Sequence, residues 1–136
     1  MDAVAWGPLP GTDGAASPFW SPDSRFIGFY TAGTKIKKIE VTGGPTQTLT
    51  DVQVGGGATW NQQGIIVFTK SAGDGLYQIS ANGGTPTRVT TLDESRKETA
   101  HAWPYFLPDG RHFLYLARSV QRENTGIYLG TLDSNE

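Results

Sequence analysis

Two histidines are the residues best suited to hold a metal ion. His101 and His112 are the only histidines in the sequence, and the chain contains no cysteine. A protein metal site usually needs three or four ligands with defined spacing, and these two histidines are not part of such a set. The sequence therefore predicts no metal and no other cofactor. We interpret His101 as part of a polar rim and His112 as the edge of a strand.

Two aspartates could form a carboxylate pair for acid-base catalysis. Asp23 and Asp109, however, occupy the same position of two similar segments, Ser21-Pro22-Asp23-Ser24-Arg25 and Leu107-Pro108-Asp109-Gly110-Arg111. Proline sets the φ angle that a turn needs at its second position, and an aspartate side chain bonds its own backbone there. We therefore interpret both as turn residues. Their replacement by alanine is expected to cost a little stability and no chemistry.

Common enzyme signatures are absent from the sequence, including the nucleophile elbow, the phosphate-binding loop, the kinase catalytic loop and the zinc-protease helix. The run Gly55-Gly56-Gly57 would cradle a phosphate if a helix followed it, but the next residues predict a strand. Lys35, Lys37 and Lys38 lie in a predicted outer strand, where they would protect an exposed edge or contact an acidic partner. We predict that the chain itself is not an enzyme.

The elements that carry these residues form a repeat. The pattern of residues 19–30 returns at residues 105–115, and a degenerate copy lies at residues 58–68. Trp20 and Trp60 are 40 residues apart, and the Gly-Gly pairs of the first two copies recur at the same spacing. A period of about 40 residues that holds four short strands is typical of a β-propeller blade.

The predicted fold is all-β, with about three four-stranded antiparallel propeller blades that form a partial or half propeller. We predict blade 1 at about residues 13–50, blade 2 at about 51–90 and blade 3 at about 91–134. Residues 3–10 are expected to form a stray outer strand, and the third repeat ends before its fourth strand. The 18 glycines and 8 prolines disfavour helices.

The charge and the termini limit the possible partners. A net charge of −2 offers no basic surface for nucleic acid or an anionic membrane. Residues 1–8 contain neither a signal peptide nor a membrane span. Because propellers usually contain four to eight blades, three blades need further blades or self-association to cover their open edges. Two copies that exchange strands into six blades are one such arrangement.

Five aromatic residues cluster around the predicted inner strands, namely Trp20, Trp60, Trp103, Tyr105 and Phe106. We expect them to fill the gaps between neighbouring sheets; the alternative is that they stack a sugar or a peptide at the central channel. If they are buried, Trp20→Ala and Trp60→Ala will each destabilise the fold by about 3–5 kcal/mol.

The two turn segments, Trp20-Ser21-Pro22-Asp23-Ser24-Arg25 and Leu107-Pro108-Asp109-Gly110-Arg111, resemble the TolB-type, WD-repeat-like propeller repeat. Residues 8–12 and 103–113 resemble, more specifically, the propellers that lie C-terminal to the kinase domain in bacterial serine/threonine protein kinases. The turn Asn61-Gln62-Gln63-Gly64 departs from this pattern. The resemblance implies interaction or sensing, with an extracytoplasmic location if the chain is attached to a membrane-spanning kinase and a cytoplasmic one otherwise.

The polar residues 91–102 are predicted to form an inserted loop on the same face as the loops at residues 71–75 and 119–126. Binding residues concentrate on loops that a rigid scaffold holds. We therefore predict a non-catalytic module that binds a protein or peptide. The alternative is the gating propeller of a peptidase in the prolyl oligopeptidase group. The candidate partner-binding residues are Asp74, Arg96, Lys97, Glu98, Thr99, His101 and Arg122.

Overall fold

The computed structural model describes residues 12, 14–31, 35–53 and 56–132. These residues form eleven β-strands in three antiparallel sheets and two 3₁₀ turns, at Glu94–Arg96 and Arg122–Asn124. The all-β prediction is confirmed. Within these ranges, no helix is long and apolar enough to cross a membrane.

Each sheet is built from strands that follow one another in the chain. The first sheet contains β1 (Ala15–Trp20), β2 (Phe26–Thr31), β3 (Lys35–Glu40) and β4 (Gln47–Asp51). The second contains β5 (Ala58–Trp60), β6 (Ile65–Thr69), β7 (Leu76–Ser80) and β8 (Thr87–Arg88). The third contains β9 (Glu98–Phe106), β10 (His112–Ser119) and β11 (Gly126–Thr131). Neighbours in sequence are neighbours in every sheet, as in a row of hairpins.

The third sheet differs from the sequence analysis in its first strand. Residues 98–102 were expected to belong to the inserted loop, but β9 already begins at Glu98. Beyond a bulge, Ala102 pairs with Leu116 and Ala100 with Arg118, so the strand runs on past its predicted start. The third sheet has three strands within the described residues, as expected for a repeat that ends early. The outer strand predicted at residues 3–10 lies outside the described residues.

The two aspartate turns have the predicted role. Asp23 Oδ1 accepts hydrogen bonds from the Ser21 hydroxyl at 2.6 Å and from the Arg25 backbone N–H at 3.0 Å. Asp109 Oδ1 accepts from two backbone N–H groups, those of Arg111 at 2.9 Å and His112 at 3.0 Å. Because these bonds favour the ionised form, the pKa of each carboxyl lies below its usual range. The interpretation of both residues as turn residues is confirmed.

The turn of the second repeat is also closed by a side chain that accepts backbone hydrogen bonds, but the residue is an asparagine. Asn61 Oδ1 accepts from the backbone N–H groups of Gln63 at 3.0 Å and Ile65 at 2.9 Å. The Asn61 amide also donates to the Gly110 carbonyl at 2.8 Å and so ties this turn to that of the third repeat. A side-chain oxygen two positions earlier in the turn therefore replaces the missing aspartate.

A left-handed backbone conformation recurs at the same distance from the end of each inner strand. Ser17, Gly57 and Trp103 have φ angles of 49°, 90° and 53°, and each lies three residues before the last residue of its strand. In the first and third sheets this position coincides with a break in the β-ladder register. The repeat therefore requires positive φ here, although only the second copy uses glycine.

The core lies between the sheets in two clusters. One cluster joins the first and second sheets and includes Tyr30, Ile36, Ile66 and Phe68. The other joins the second and third sheets and consists of Val67, Leu76, Phe106, Phe113, Tyr115 and Ala117. Alternate residues of β6 thus pack against opposite neighbours, as the two-residue period of a strand requires.

The first two sheets are also joined by a buried tyrosine. The Tyr30 hydroxyl lies 2.9 Å from the carbonyl oxygen of Gly57 and 3.0 Å from that of Thr69, and it accepts from the Thr69 N–H at 3.2 Å. Burial raises the pKa of Tyr30 well above its usual value. The hydroxyl therefore stays protonated and joins the first sheet to Gly57 and Thr69 of the second.

One face of the third sheet is exposed in the part of the chain that the structure describes. Ile36, Leu76 and Ile127 are equivalent, since each pairs with the fifth residue of its middle strand. Ile36 and Leu76 are 0% exposed because the following sheet covers them, whereas Ile127 is 67% exposed. Tyr105, Leu114 and Leu129 are exposed as well and occupy one cross-strand row of the third sheet. We refer to Tyr105, Leu114, Ile127 and Leu129 as the third-sheet face.

Candidate functional site

Three loops meet at one end of the second and third sheets. The Ser119 hydroxyl donates to the Arg96 carbonyl at 2.6 Å, and the Asn124 amide donates to the same oxygen at 3.2 Å. The His101 N–H donates to the Asp74 carbonyl at 3.0 Å. We call residues 71–75, 91–97 and 119–125 the loop face. The structure thus brings together the loops that the sequence analysis assigned to one face.

A buried acidic network holds this face in place. Glu98 Oε1 lies 2.6 Å from His101 Nε2 and accepts from the Asp93 N–H at 2.8 Å. Glu98 Oε2 accepts from the Arg96 guanidinium at 3.0 and 3.2 Å. Burial alone would raise the pKa of Glu98, but these donors hold it below the usual range. The side chain of Glu98 is 0% exposed, so it acts as an internal anchor for Asp93, Arg96 and His101.

The same network contains a chain of hydrogen bonds that links a hydroxyl, an imidazole and a carboxylate. His101 Nδ1 lies 2.7 Å from Thr90 Oγ1, which also accepts from the Leu76 N–H at 2.8 Å. In the arrangement that satisfies every group, Thr90 donates to Nδ1 and Nε2–H donates to Glu98. This order resembles a nucleophile, base and carboxylate set. His101 is only 1% exposed, however, and packs 4.7 Å from the Tyr115 ring centre, which favours a structural role.

The predicted partner-binding residues divide into buried and accessible groups. Glu98 and His101 were predicted to lie on an exposed loop and rim, and this placement is wrong because both are buried in a strand. Their polar groups are satisfied inside the protein, so burial costs little. The accessible residues are Lys97, Thr99 and Arg122, which are exposed, and Asp74 and Arg96, which are partly exposed.

Asp74 is engaged within the second sheet. Its carboxylate pairs with the Arg88 guanidinium and accepts from the Tyr77 hydroxyl at 3.0 Å and from the Gly75 N–H at 2.7 Å. The Arg88 hydrogen bond is the main reason that the pKa of Asp74 falls to about 2. Asp74 therefore orders its loop through these contacts, and little of its charge is left for a partner.

We expect Asp74→Asn to remove a pH-dependent part of the stability. The folded-state pKa is depressed, so this contribution is fully present above pH ~4, the pKa range of an unfolded aspartate, and is lost as the pH falls through about 2. Because Arg88 is partly exposed, we expect a cost of only about 1 kcal/mol near neutral pH. Urea titrations at several pH values should show the parent and variant converging in acid. Glu94→Gln, at an exposed position, is the control, and a gap that persists in acid would contradict the assignment.

The aromatic residues of the inner strands are not all buried. Trp20, Trp103 and Tyr105 are 59%, 54% and 68% exposed, so their predicted packing between sheets is wrong. Trp60 is partly buried beside two rings of the first sheet, and Phe106 is buried. Trp20, Trp60 and Tyr105 instead line an open groove of 620 Å³ along the inner strands.

A smaller cavity of 220 Å³ lies where the inner strands approach the loop face. Trp103 and Arg118 line it together with small residues such as Gly56, Gly73 and Ala100. Sequence reasoning did not select Arg118, because the residue lies within a strand and matches no motif. Only the pairing of Arg118 with Ala100 in the third sheet shows that it reaches this site.

Two further predictions concern the glycine run and the lysine cluster. Gly56 and Gly57 lead directly into β5, as a tight passage into an inner strand would, while Gly55 lies outside the described residues.

Lys35 and Lys38 lie on β3, which was predicted to be an edge strand. This prediction is wrong because β4 pairs with β3 on its outer side. Lys35 pairs with Asp51 at 2.7 Å, and Lys38 lies 5.1 Å from the Phe26 ring centre.

Metal ligands do not gather anywhere in the described part of the chain, where no three His, Asp or Glu side chains are close enough to hold an ion. His112 pairs with Asp109 in the turn, and His101 belongs to the buried network, so the two histidines lie in separate environments. The chemistry available at the surface is therefore that of charged and aromatic side chains.

Solved structures show which fold this arrangement belongs to. TolB from Acinetobacter baumannii matches with a TM-score of 0.67 and 17% identity over 87% of this chain and 30% of that chain. An oligogalacturonate lyase in complex with manganese matches with a TM-score of 0.60 and 22% identity over 88% and 35% of the two chains. The chain has the fold of a β-propeller segment.

The segment spans about a third of the length of these two propeller proteins. No family model matches the chain, and no curated protein sequence matches it. The identities are low, so the likeness establishes the fold of the segment, and function has to be argued from its own surface.

Proposed function

We propose that this propeller segment is a non-catalytic module that binds a protein or peptide through the loop face. The module would belong to a larger sensor, of the kind in which a propeller accompanies a bacterial serine/threonine kinase. The resemblance of residues 8–12 and 103–113 to such propellers supports this assignment. The two similar structures belong to different proteins, so the fold is compatible with several uses.

The observation that carries the proposal is a fixed backbone beneath exposed side chains. Lys97 has a left-handed conformation with φ of 57°, held by its N–H bond to the Glu94 carbonyl at 3.0 Å. Its own carbonyl accepts from the Val120 N–H at 3.2 Å, which joins two loops. Lys97, Thr99 and Arg122 are exposed around this junction. A surface that is already ordered loses little conformational entropy on binding.

The third-sheet face supports assembly with another propeller sheet. Ile127 repeats the position at which Ile36 and Leu76 are covered by the following sheet, and Leu114 and Leu129 extend the same apolar surface. Large exposed apolar patches mark interaction sites. We therefore propose that a further blade, or a second copy of the segment, covers this face in the assembled protein.

The loop-face proposal can be tested by peptide display against the immobilised chain. Peptides selected on the parent should bind Arg122→Glu at least about tenfold more weakly, because a favourable charge is replaced by a repulsive one. Arg25→Glu makes the same change at an exposed turn of the first sheet, away from the loop face, and should leave binding unchanged. Equal losses in both variants, or no selected peptides, would overturn the proposal.

A further inference from the structure

The cavity between the inner strands and the loop face is lined by one tryptophan and one arginine among mostly small residues. We call it the Trp103 pocket, after the residue that forms part of its lining with Gly56, Ser71, His101 and Arg118. Its volume is 220 Å³, which is enough for about one amino-acid residue of a larger ligand. Small side chains on the rest of the lining leave this space open.

Trp103 is an unexpected residue for its backbone conformation. Positive φ recurs here in every repeat, and Ser17 and Gly57 meet the requirement with small side chains. A bulky residue in the left-handed region is strained, and such strain concentrates at functional sites. The Trp103 indole lies so close to Gly57 that a Cβ atom, if residue 57 had one, would be only 2.5 Å from Trp103 Cε3. The ring is thus held by the neighbouring sheet while 54% of the residue remains exposed.

Arg118 supplies a positive charge at the same pocket. Among the described residues its guanidinium forms no ion pair and no side-chain hydrogen bond, and it is exposed. The acidic groups nearby are already engaged, since Glu98 is bound by Arg96 and His101 and Asp74 by Arg88. Among the described residues, no carboxylate lines the pocket itself. The pocket therefore combines an available guanidinium with an exposed aromatic ring.

We propose that the Trp103 pocket binds the C-terminal residue of a peptide partner. Arg118 pairs with the terminal carboxylate, since the guanidinium fork matches the two oxygens of a carboxylate. The Trp103 indole packs against the last side chain. This inference rests on the proposed function and adds to it, because it names the part of the peptide that is recognised and places it beside the loop face.

The test uses the whole chain labelled with ¹⁵N and titrated with N-acetyl-leucine, a single residue with a free carboxylate. The Trp103 indole N–H signal, assigned from its loss in Trp103→Gly, should shift to saturation. N-acetyl-leucinamide, which lacks the charge, should bind at least about tenfold more weakly to the parent. Arg118→Gln should weaken binding of the acid by a similar factor and leave binding of the amide unchanged.

The control variants separate this site from the rest of the surface. Arg25→Gln removes a guanidinium from a distant turn and should bind N-acetyl-leucine like the parent. Trp103→Gly suits the positive φ and should remain folded, so its loss of binding would identify the indole as part of the site. Equal binding of acid and amide, or an unaltered Arg118→Gln variant, would overturn the inference. Either result would leave the loop-face proposal to be decided by peptide display.

Discussion

Phe68→Ala should lower the free energy of unfolding by about 3–5 kcal/mol, the cost of emptying a large aromatic site in a packed core. Phe68 is 0% exposed and packs in the cluster between the first and second sheets, with Tyr30 and Ile36 among its members. The Tyr77 ring lies 6.4 Å away, centre to centre, and cannot fill the space without moving. Equilibrium denaturation in urea would measure the loss.

Trp20→Ala is the matched comparison, since it also removes a large aromatic ring. Trp20 is 59% exposed, so we expect a change of no more than about 1 kcal/mol, in place of the 3–5 kcal/mol predicted from burial. Trp60→Ala should fall between the two, because Trp60 is partly buried beside Phe19 and Phe26. If Trp20→Ala destabilised the chain as much as Phe68→Ala, the exposed position of Trp20 would be wrong.

Glu98→Ala should destabilise the chain by about 3 kcal/mol, because two buried donors lose a charged acceptor and each such loss costs about 1–3 kcal/mol. The Asp93 N–H and the His101 ring would lose this acceptor, and the Arg96 guanidinium would keep only its pair with Asp93 at 3.1 Å. We expect a lower thermal midpoint together with disorder of residues 91–97, visible as faster amide exchange.

Glu94→Ala provides the control for this network. Glu94 belongs to the 3₁₀ turn that Glu98 anchors, but it is exposed and makes no ion pair within the described residues. Its replacement should change stability little. A Glu98→Ala protein that unfolded like the parent but failed to bind loop-face peptides would contradict the anchoring role and restore Glu98 as a partner-binding residue.

The fold could be predicted because its signals are local. Proline and aspartate at fixed positions specify the turns of the first and third repeats, where Asp23 and Asp109 form the backbone bonds that this chemistry requires. The 40-residue spacing then places equivalent strands in successive sheets. Even the second repeat, which lacks the aspartate, closes its turn with Asn61. The turn therefore forms at the position that the 40-residue spacing predicts, although its sequence motif is absent.

The candidate site was harder to predict because it depends on contacts between distant residues. Glu98 and His101 look like loop residues in sequence, and their burial follows from hydrogen bonds to Asp93, Arg96 and Thr90 that only the folded chain brings together. Exposure of Trp20 and Trp103 likewise depends on how neighbouring sheets are spaced. Residue type indicates that a ring can be buried but does not show whether a neighbour covers it.

The Tyr30 hydroxyl has a consequence for how the molecule unfolds. It accepts the Thr69 N–H of the second sheet from a side chain of the first, and the same N–H also donates to the Gly57 carbonyl at 3.2 Å. We expect this amide to exchange with solvent only when both bonds are broken, which includes separation of the two sheets. Repeat proteins are often treated as stacks of units that open one at a time. Here we expect a single phenol to make the protection of an amide in the second repeat depend on the integrity of the first, so that the first two repeats open together.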